Sequence, residues 1–293
     1  MKKYFITSDV HGFYEELMSA LGKKGWEQDN PDHIFVSLGD LLDRGPDAVK
    51  CLEFVNDLPF ERKILIRGNH EDLMEQAMAR GEFWMHDIHN GTNDTCYQIV
   101  NNLFRDDKSV RAEWMSDKDV LGYTEGSILW EDYAPWCVDY AEIGDNIFVH
   151  GWIPCFIKKH MDDSGNILRY YTFNPDWRNS NYKLWDQARW INGMEAWDNG
   201  IIEPGKTIWC GHWHASWGNA NLHEDGVEFL DRIETYYLDE NGVQQPHENH
   251  HPFKDEGIVA MDSCCAHSHF LNCEVLETDD CPRVDGKIKD LSF

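Results

Sequence analysis

Residues 33–45 read His33-Ile34-Phe35-Val36-Ser37-Leu38-Gly39-Asp40-Leu41-Leu42-Asp43-Arg44-Gly45. An apolar, β-rich run stops at Gly39-Asp40, and a helical pattern starts beyond the polar cluster. Pro46 suits a first helical turn, and Ala48, Leu52 and Val55 at i, i+4 and i+7 share one inward face. The same sequence of events occurs on either side. Residues 4–7 run into Asp9-Val10-His11-Gly12, and Phe13, Leu17 and Leu21 then fall on one helix face. Residues 63–67 run into Gly68-Asn69-His70-Glu71, and residues 71–80 read as a helix stopped by Gly81. Three strand–loop–helix units predict βαβ crossovers and a sheet that is at least partly parallel. Such sheets bind ligands off the carboxyl ends of their strands.

The chain has 293 residues, room for one large domain or two small ones. Lys and Arg number 26 against 53 Asp and Glu, a formal charge of −27 that repels phosphate backbones and acidic lipid. Bulk nucleic-acid binding and membrane adhesion are therefore not expected. A hydrophobic share of 42% excludes a disordered chain. No segment has the ~18 apolar residues of a membrane span. Nine scattered cysteines, with no export signal before them, read as reduced thiols of a cytoplasmic protein.

Beyond the opening units, residues 82–135 read as a helical insert, and 137–142 and 146–149 as strands joined by a hairpin at Gly144-Asp145. Residues 183–193 read as a helix and 207–210 as a strand. Residues 215–256 form a loop-like insert rich in acid and histidine, and 258–261 and 270–276 close the chain as strands. The whole reads as a single domain over 1–293. Within the loop insert, His247, Glu248, His250 and His251 are metal-type donors, but a solvated loop is the expected state.

Five strands deliver such donors at their ends: Asp9 and His11; Asp40; Asn69 and His70; His150; and His212 with His214. Spacings of 31 residues from Asp9 to Asp40 and 29 from Asp40 to Asn69 each suit one crossover, which sets the three side by side. Carboxylate, imidazole and amide oxygen together favour manganese, iron or zinc over calcium or magnesium. Each cluster alone is weak; five in order, each after an apolar strand, are not.

These clusters, with Gly39-Asp40-Leu41-Leu42-Asp43-Arg44-Gly45 and Gly68-Asn69-His70-Glu71 at their centre, resemble the calcineurin-like metallophosphoesterases. More narrowly they are similar to the phosphoprotein phosphatase branch, which includes serine/threonine phosphatases and diadenosine tetraphosphate hydrolases. The resemblance implies an α/β (α+β) fold, a four-layer αββα sandwich of two mixed β-sheets flanked by helices, with two divalent ions at the strand ends. By motif position Asp9, His11 and Asp40 would hold the first ion. Asp40 would bridge, and Asn69, His150 and His212 would complete the second; His214 is a further candidate ligand. The ions expected are manganese first, then iron or zinc.

In-line attack by a shared hydroxide on a phosphate monoester would follow, with a phosphoprotein or a small phosphoester or nucleotide as substrate. His70 is the expected general acid and Asp43 its support, a pairing that residue chemistry and resemblance both suggest. Arg44 can fork onto phosphate oxygens. Arg189, in Trp185-Asp186-Gln187-Ala188-Arg189-Trp190, is the expected second clamp. Residues 89–95 are expected at the pocket rim, and Trp152, where relatives often have Gly, is expected to narrow the pocket or stack on substrate. Serine/threonine phosphatase action is the first expectation and dinucleoside polyphosphate hydrolysis the second. A non-catalytic metal-binding module is the rival of another class; it predicts loss of the acid or the clamp, yet His70, Asp43 and Arg44 are all present. Oligomeric state is not legible.

Overall fold

The computed structural model describes residues 1–161, 167–226, 236–238, 244–246 and 248–288; His247 lies outside them. Strands β1 (Lys2–Thr7), β2 (His33–Ser37) and β3 (Lys63–Ile66) alternate with helices α1 (Tyr14–Lys23), α2 (Ala48–Asp57) and α3 (Asn69–Arg80). Helices α4 (Met85–Asn90), α5 (Thr92–Leu103), α6 (Asp117–Glu125) and α7 (Ile128–Glu131) come next, then strands β4 (Cys137–Val138), β5 (Ala141–Ile143) and β6 (Asn146–Phe148). A separate hairpin of β7 (Phe156–Met161) and β8 (Ile167–Thr172) precedes α8 (Tyr182–Arg189), α9 (Gly193–Asp198), β9 (Thr207–Cys210) and α10 (Ala215–Asn221). The remaining elements are a small hairpin of β10 (Tyr236–Leu238) and β11 (Gln244–Pro246), β12 (Phe253–Asp255), β13 (Ile258–Ala260), α11 (Cys265–Ser268), β14 (Glu274–Thr278), β15 (Arg283–Val284) and β16 (Lys287–Ile288).

Five strands in the order β14-β1-β2-β3-β4 make one sheet, and seven in the order β12-β13-β9-β6-β5-β15-β16 make the other. β1, β2, β3 and β4 are mutually parallel, and β14 joins β1 antiparallel, so the first sheet is mixed. β13, β9 and β6 are parallel in the second, with antiparallel neighbours outside them.

Strand alternation explains the layers. Tyr4, Ile6, Ile34, Val36, Ile64 and Ile66 pack on Phe148, Trp209 and Val259, so the sheets face each other through one shared core. The intervening Phe5, Phe35 and Leu65 point the other way, into helices such as α1 and α2. On the far side Ile147, Ile208 and Ile258 face residues of α8 and α9. With both faces buried, these strands read as continuous apolar runs. The αββα sandwich follows.

Two expected elements are cut by the geometry. Residues 137–142 are not one strand: Cys137–Val138 belongs to the first sheet and Ala141–Ile143 to the second. The crossing falls at Asp139-Tyr140, where the Tyr140 ring stacks on Trp185 at 5.4 Å and pulls the chain to the other core. The helix expected over residues 183–193 ends at Arg189, and Asn192 Oδ1 accepts from the Met194 and Glu195 N–H groups and starts α9 afresh at Gly193. The closing strands do not pair with each other; β13 lies beside β9 and β14 beside β1. Trp152 is fully buried and donates to the Ile201 carbonyl at 2.9 Å, so it is a core residue.

Candidate dinuclear metal centre

Each strand of the central pairs ends in a turn that its sequence would not choose freely. Asp9, His11, Asp40, Asp43, Arg44 and His212 all have φ between 51° and 73°, the left-handed region that non-glycine residues avoid. Such residues cost of order 1–3 kcal/mol each and persist where the surroundings over-determine them. Here the turns swing six side chains towards one place. Glycine is required beside them: a Cβ on Gly211 would meet Asp9 Oδ2 at 2.2 Å, and one on Gly68 would meet Asp40 Oδ1 at 2.1 Å.

Asp40 lies at the centre. Its Oδ2 is 3.3 Å from His150 Nε2 and 3.9 Å from both His11 Nε2 and His70 Nε2. Two donor groups form around it, His11–Asp40–His70 and Asp40–His150–His212, each with its ligand atoms within 4.8 Å of one another. One carboxylate is common to both. Its backbone is held by Glu71, which accepts from the Asp40 and Gly68 N–H groups at 3.1 and 2.8 Å and from Tyr133 Oη at 2.8 Å.

The imidazoles are presented in one tautomer. His11 Nδ1 donates to the Leu42 carbonyl at 2.9 Å and His150 Nδ1 to that of Leu38 at 2.8 Å. Each Nε2 is thereby turned inward, the arrangement that metal-bound histidines use. His150 Nε2 then meets Asn69 Oδ1 at 2.8 Å as well as Asp40 Oδ2. With Nδ1 already donating, His150 Nε2 faces two acceptors, and either a proton or a bound cation between them reconciles the three. Burial would lower the His150 pKa, yet Asp40, with Asp9 behind it, raises it to about 10. Burial lowers that of His212 to about 3, His150 adding to the effect, so its lone pair is available at neutral pH. Asp9 accepts from the His212 N–H at 3.0 Å and from Ser8 Oγ, and its own pKa is raised, by burial first and then by Asp262. Two carboxylates, three imidazoles and an amide oxygen fit a borderline divalent ion.

Beside this cluster, His70 Nδ1 donates to Asp43 Oδ2 at 2.8 Å, and Arg44 Nη2 donates to His70 Nε2 at 3.2 Å. Burial works to lower the His70 pKa, but Asp40 and Asp43 outweigh it and the net shift is upward. Thr92 Oγ1 donates to the same Asp43 oxygen at 2.7 Å, and the Asp43 N–H donates to Thr95 Oγ1 at 3.0 Å. Residues 89–95 thus bear on the His70–Asp43 pair from behind. Thr92 and Thr95 come from the segment expected at the pocket rim, whereas the buttresses Glu71 and Ser8, and the buried Asp262, were not among the expected site residues. Glu71 had a signal, its place in Gly-Asn-His-Glu; Asp262 is recognisable only once the sheets are stacked.

Two expected residues stand apart. The Arg189 guanidinium is held by Asp72 at 2.9 Å and Asp139 at 2.6 Å, with its side chain 4% exposed. Asp72 also meets Arg67 at 3.2 Å, so α3, α8 and the sheet-to-sheet crossing are tied by one buried ionic network. A clamp role for Arg189 finds no support in that geometry. Arg189→Met is expected to cost about 1–3 kcal/mol of stability in denaturant unfolding, because Asp72 keeps Arg67 but loses its buried partner. His214 Nδ1 lies 2.8 Å from Ser216 Oγ, and its pKa is lowered by burial first, then by His250, with Glu248 opposing.

Fold and site together define an αββα protein with paired cation-binding groups at its strand ends. The calcineurin-like phosphoesterase model matches residues 2–269, and the chain belongs to that family. Over 71 residues it is 39% identical to the symmetrical bis(5'-nucleosyl)-tetraphosphatase of Buchnera aphidicola, covering 24% of each chain. Over 78 residues it is 33% identical to serine/threonine-protein phosphatase 1 of Salmonella typhimurium, covering 27% of this chain and 34% of the relative. The matched stretch thus spans only about a quarter to a third of these relatives' lengths. A solved cold-active protein-tyrosine phosphatase of a psychrophilic Shewanella is 14% identical, with a TM-score of 0.47, over 100% of this chain and 81% of that one.

Proposed function

We propose that this chain is a two-metal phosphoesterase hydrolysing phosphate monoesters in the manner of serine/threonine protein phosphatases. The observation that carries the reading is Asp40, common to two donor groups, one of which contains His70 with Asp43 behind it. Asp9, His11 and Asp40 would hold one ion, and Asp40, Asn69, His150 and His212 the other, with manganese the first choice. Two such ions supply an acidified water for in-line attack and offset charge on the phosphoryl oxygens. Arg44 is exposed apart from its bond to His70 and can turn its fork onto a phosphate. His70 hands a proton to the leaving oxygen while Asp43, steadied by Thr92, supports the imidazolium.

A second reading, dinucleoside polyphosphate hydrolysis, is favoured by the cleft alongside. It has a volume of about 650 Å³ and is lined by Trp190, Trp213, Trp217, Tyr171, Lys159 and Arg169. Trp190 stands edge-on to His212 at 5.6 Å, so the cleft adjoins the metal groups. Indole faces suit a base and the two cations a phosphate chain. A manganese-loaded panel of phosphoserine peptides, phosphotyrosine peptides and diadenosine tetraphosphate decides between the readings. Under the second, Trp190→Ala raises KM for the dinucleotide about tenfold, the worth of one stacking contact, and leaves p-nitrophenyl phosphate turnover near wild type. Equal effects on both substrates would discard the stacking role. No turnover of any substrate by the loaded wild type would leave a metal-binding module instead of an enzyme.

A further inference from the structure

The acid- and histidine-rich insert does not end as a solvated loop. Glu248 is 7% and His250 5% exposed. Their backbone is gripped from two sides: Asn219 Nδ2 donates to the Asn249 and His251 carbonyls at 2.9 and 3.0 Å, and Asn272 Nδ2 to that of His250 at 2.8 Å. Glu248 Oε2 lies 2.9 Å from His250 Nε2 and 2.7 Å from His267 Nε2, the latter brought in by α11. The three ligand atoms lie within 4.8 Å of one another, and none of the three residues belongs to the Asp40 cluster.

Among the described residues, two buried atoms here have no hydrogen-bond partner: Glu248 Oε1 and His250 Nδ1. A buried carboxylate with one oxygen bare is costly. Hydrogen bonds alone do not relieve this, since both imidazoles crowd the same oxygen, Oε2. A cation shared by the two rings and the carboxylate takes up Oε1 as well. His250 Nδ1 then carries the proton of the neutral tautomer whose Nε2 is the ligand.

We propose that Glu248, His250 and His267 form a third cation site, for a borderline divalent ion of the zinc class, that fastens the end of the insert to the turn after β13. Two imidazoles and one carboxylate are a zinc-type set with room for a further ligand. His214, on which His250, Glu248 and His267 all act electrostatically, lies on this side of the structure.

The test is zinc stoichiometry, by elemental analysis of full-length protein stripped with chelator and reloaded with zinc alone. Wild type is expected to hold about three ions per chain and His267→Ala about two. The His267 side chain is 40% exposed, so this variant should fold, and equal melting temperatures without metal check that it does. Glu248→Gln should repeat the loss. In an Asp40→Asn background, adding His267→Ala should again remove one ion and abolish a zinc-dependent rise in melting temperature. This arm separates the third site from the Asp40 pair. Equal zinc counts with and without His267, in both backgrounds, would overturn the proposal.

Discussion

Asp40→Asn is expected to abolish metal loading at the paired site and phosphatase turnover together. The Asp40 carboxylate is common to both donor groups, and its Oδ2 faces His150 at 3.3 Å and His11 at 3.9 Å. An amide has one acceptor oxygen and no charge, so it can serve one side but cannot neutralise a pair of dications. Changes in outer-shell partners alone weaken metal affinity about 10–100-fold; loss of a shared inner ligand should exceed that range. The fold should survive, because Asn can still accept the His70 N–H that Asp40 Oδ1 accepts at 2.9 Å. Elemental analysis beside p-nitrophenyl phosphate turnover reads both effects. Full occupancy of both ions in this variant would discredit the shared-ligand assignment.

His70→Asn should do the opposite: keep the metals and lose the rate. The ring lies between Asp43 at 2.8 Å and Arg44 at 3.2 Å, placed to give a proton to a departing oxygen. Positioned proton transfer is worth about 10²–10⁴-fold, and that is the expected fall in kcat for a phosphoserine peptide. An activated leaving group needs less help, so p-nitrophenyl phosphate should suffer less. A fall equal for both substrates would point to a role in binding; unchanged turnover would remove His70 from the chemistry.

The opening units were legible because strand, turn and helix signals agree within each of them. Residues 4–23, 33–57 and 63–80 can be read locally, and the pleat sorts their side chains between helices and second sheet. Boundaries failed where a distant partner decides. Nothing in residues 137–142 announces that Tyr140 will stack on Trp185 in the other core. Arg189 fell in a segment resembling a phosphate clamp, but its charge is taken by Asp72, 117 residues away, and by Asp139.

By itself the sequence determined the chemistry. Donor types at five strand ends, at crossover spacing, point to the proposed paired cations with a proposed acid and arginine beside them, since strand direction and turn chemistry are local properties. Tertiary structure alone decided which side chains remain free for that chemistry and which are consumed as struts. It turned Arg189 into a tie, drew Thr92 onto Asp43, and joined Glu248 and His250 to a histidine 17 residues beyond. Each of those outcomes depends on burial and on what faces a charge across the stacked sheets, and neither is encoded in a residue's neighbours along the chain.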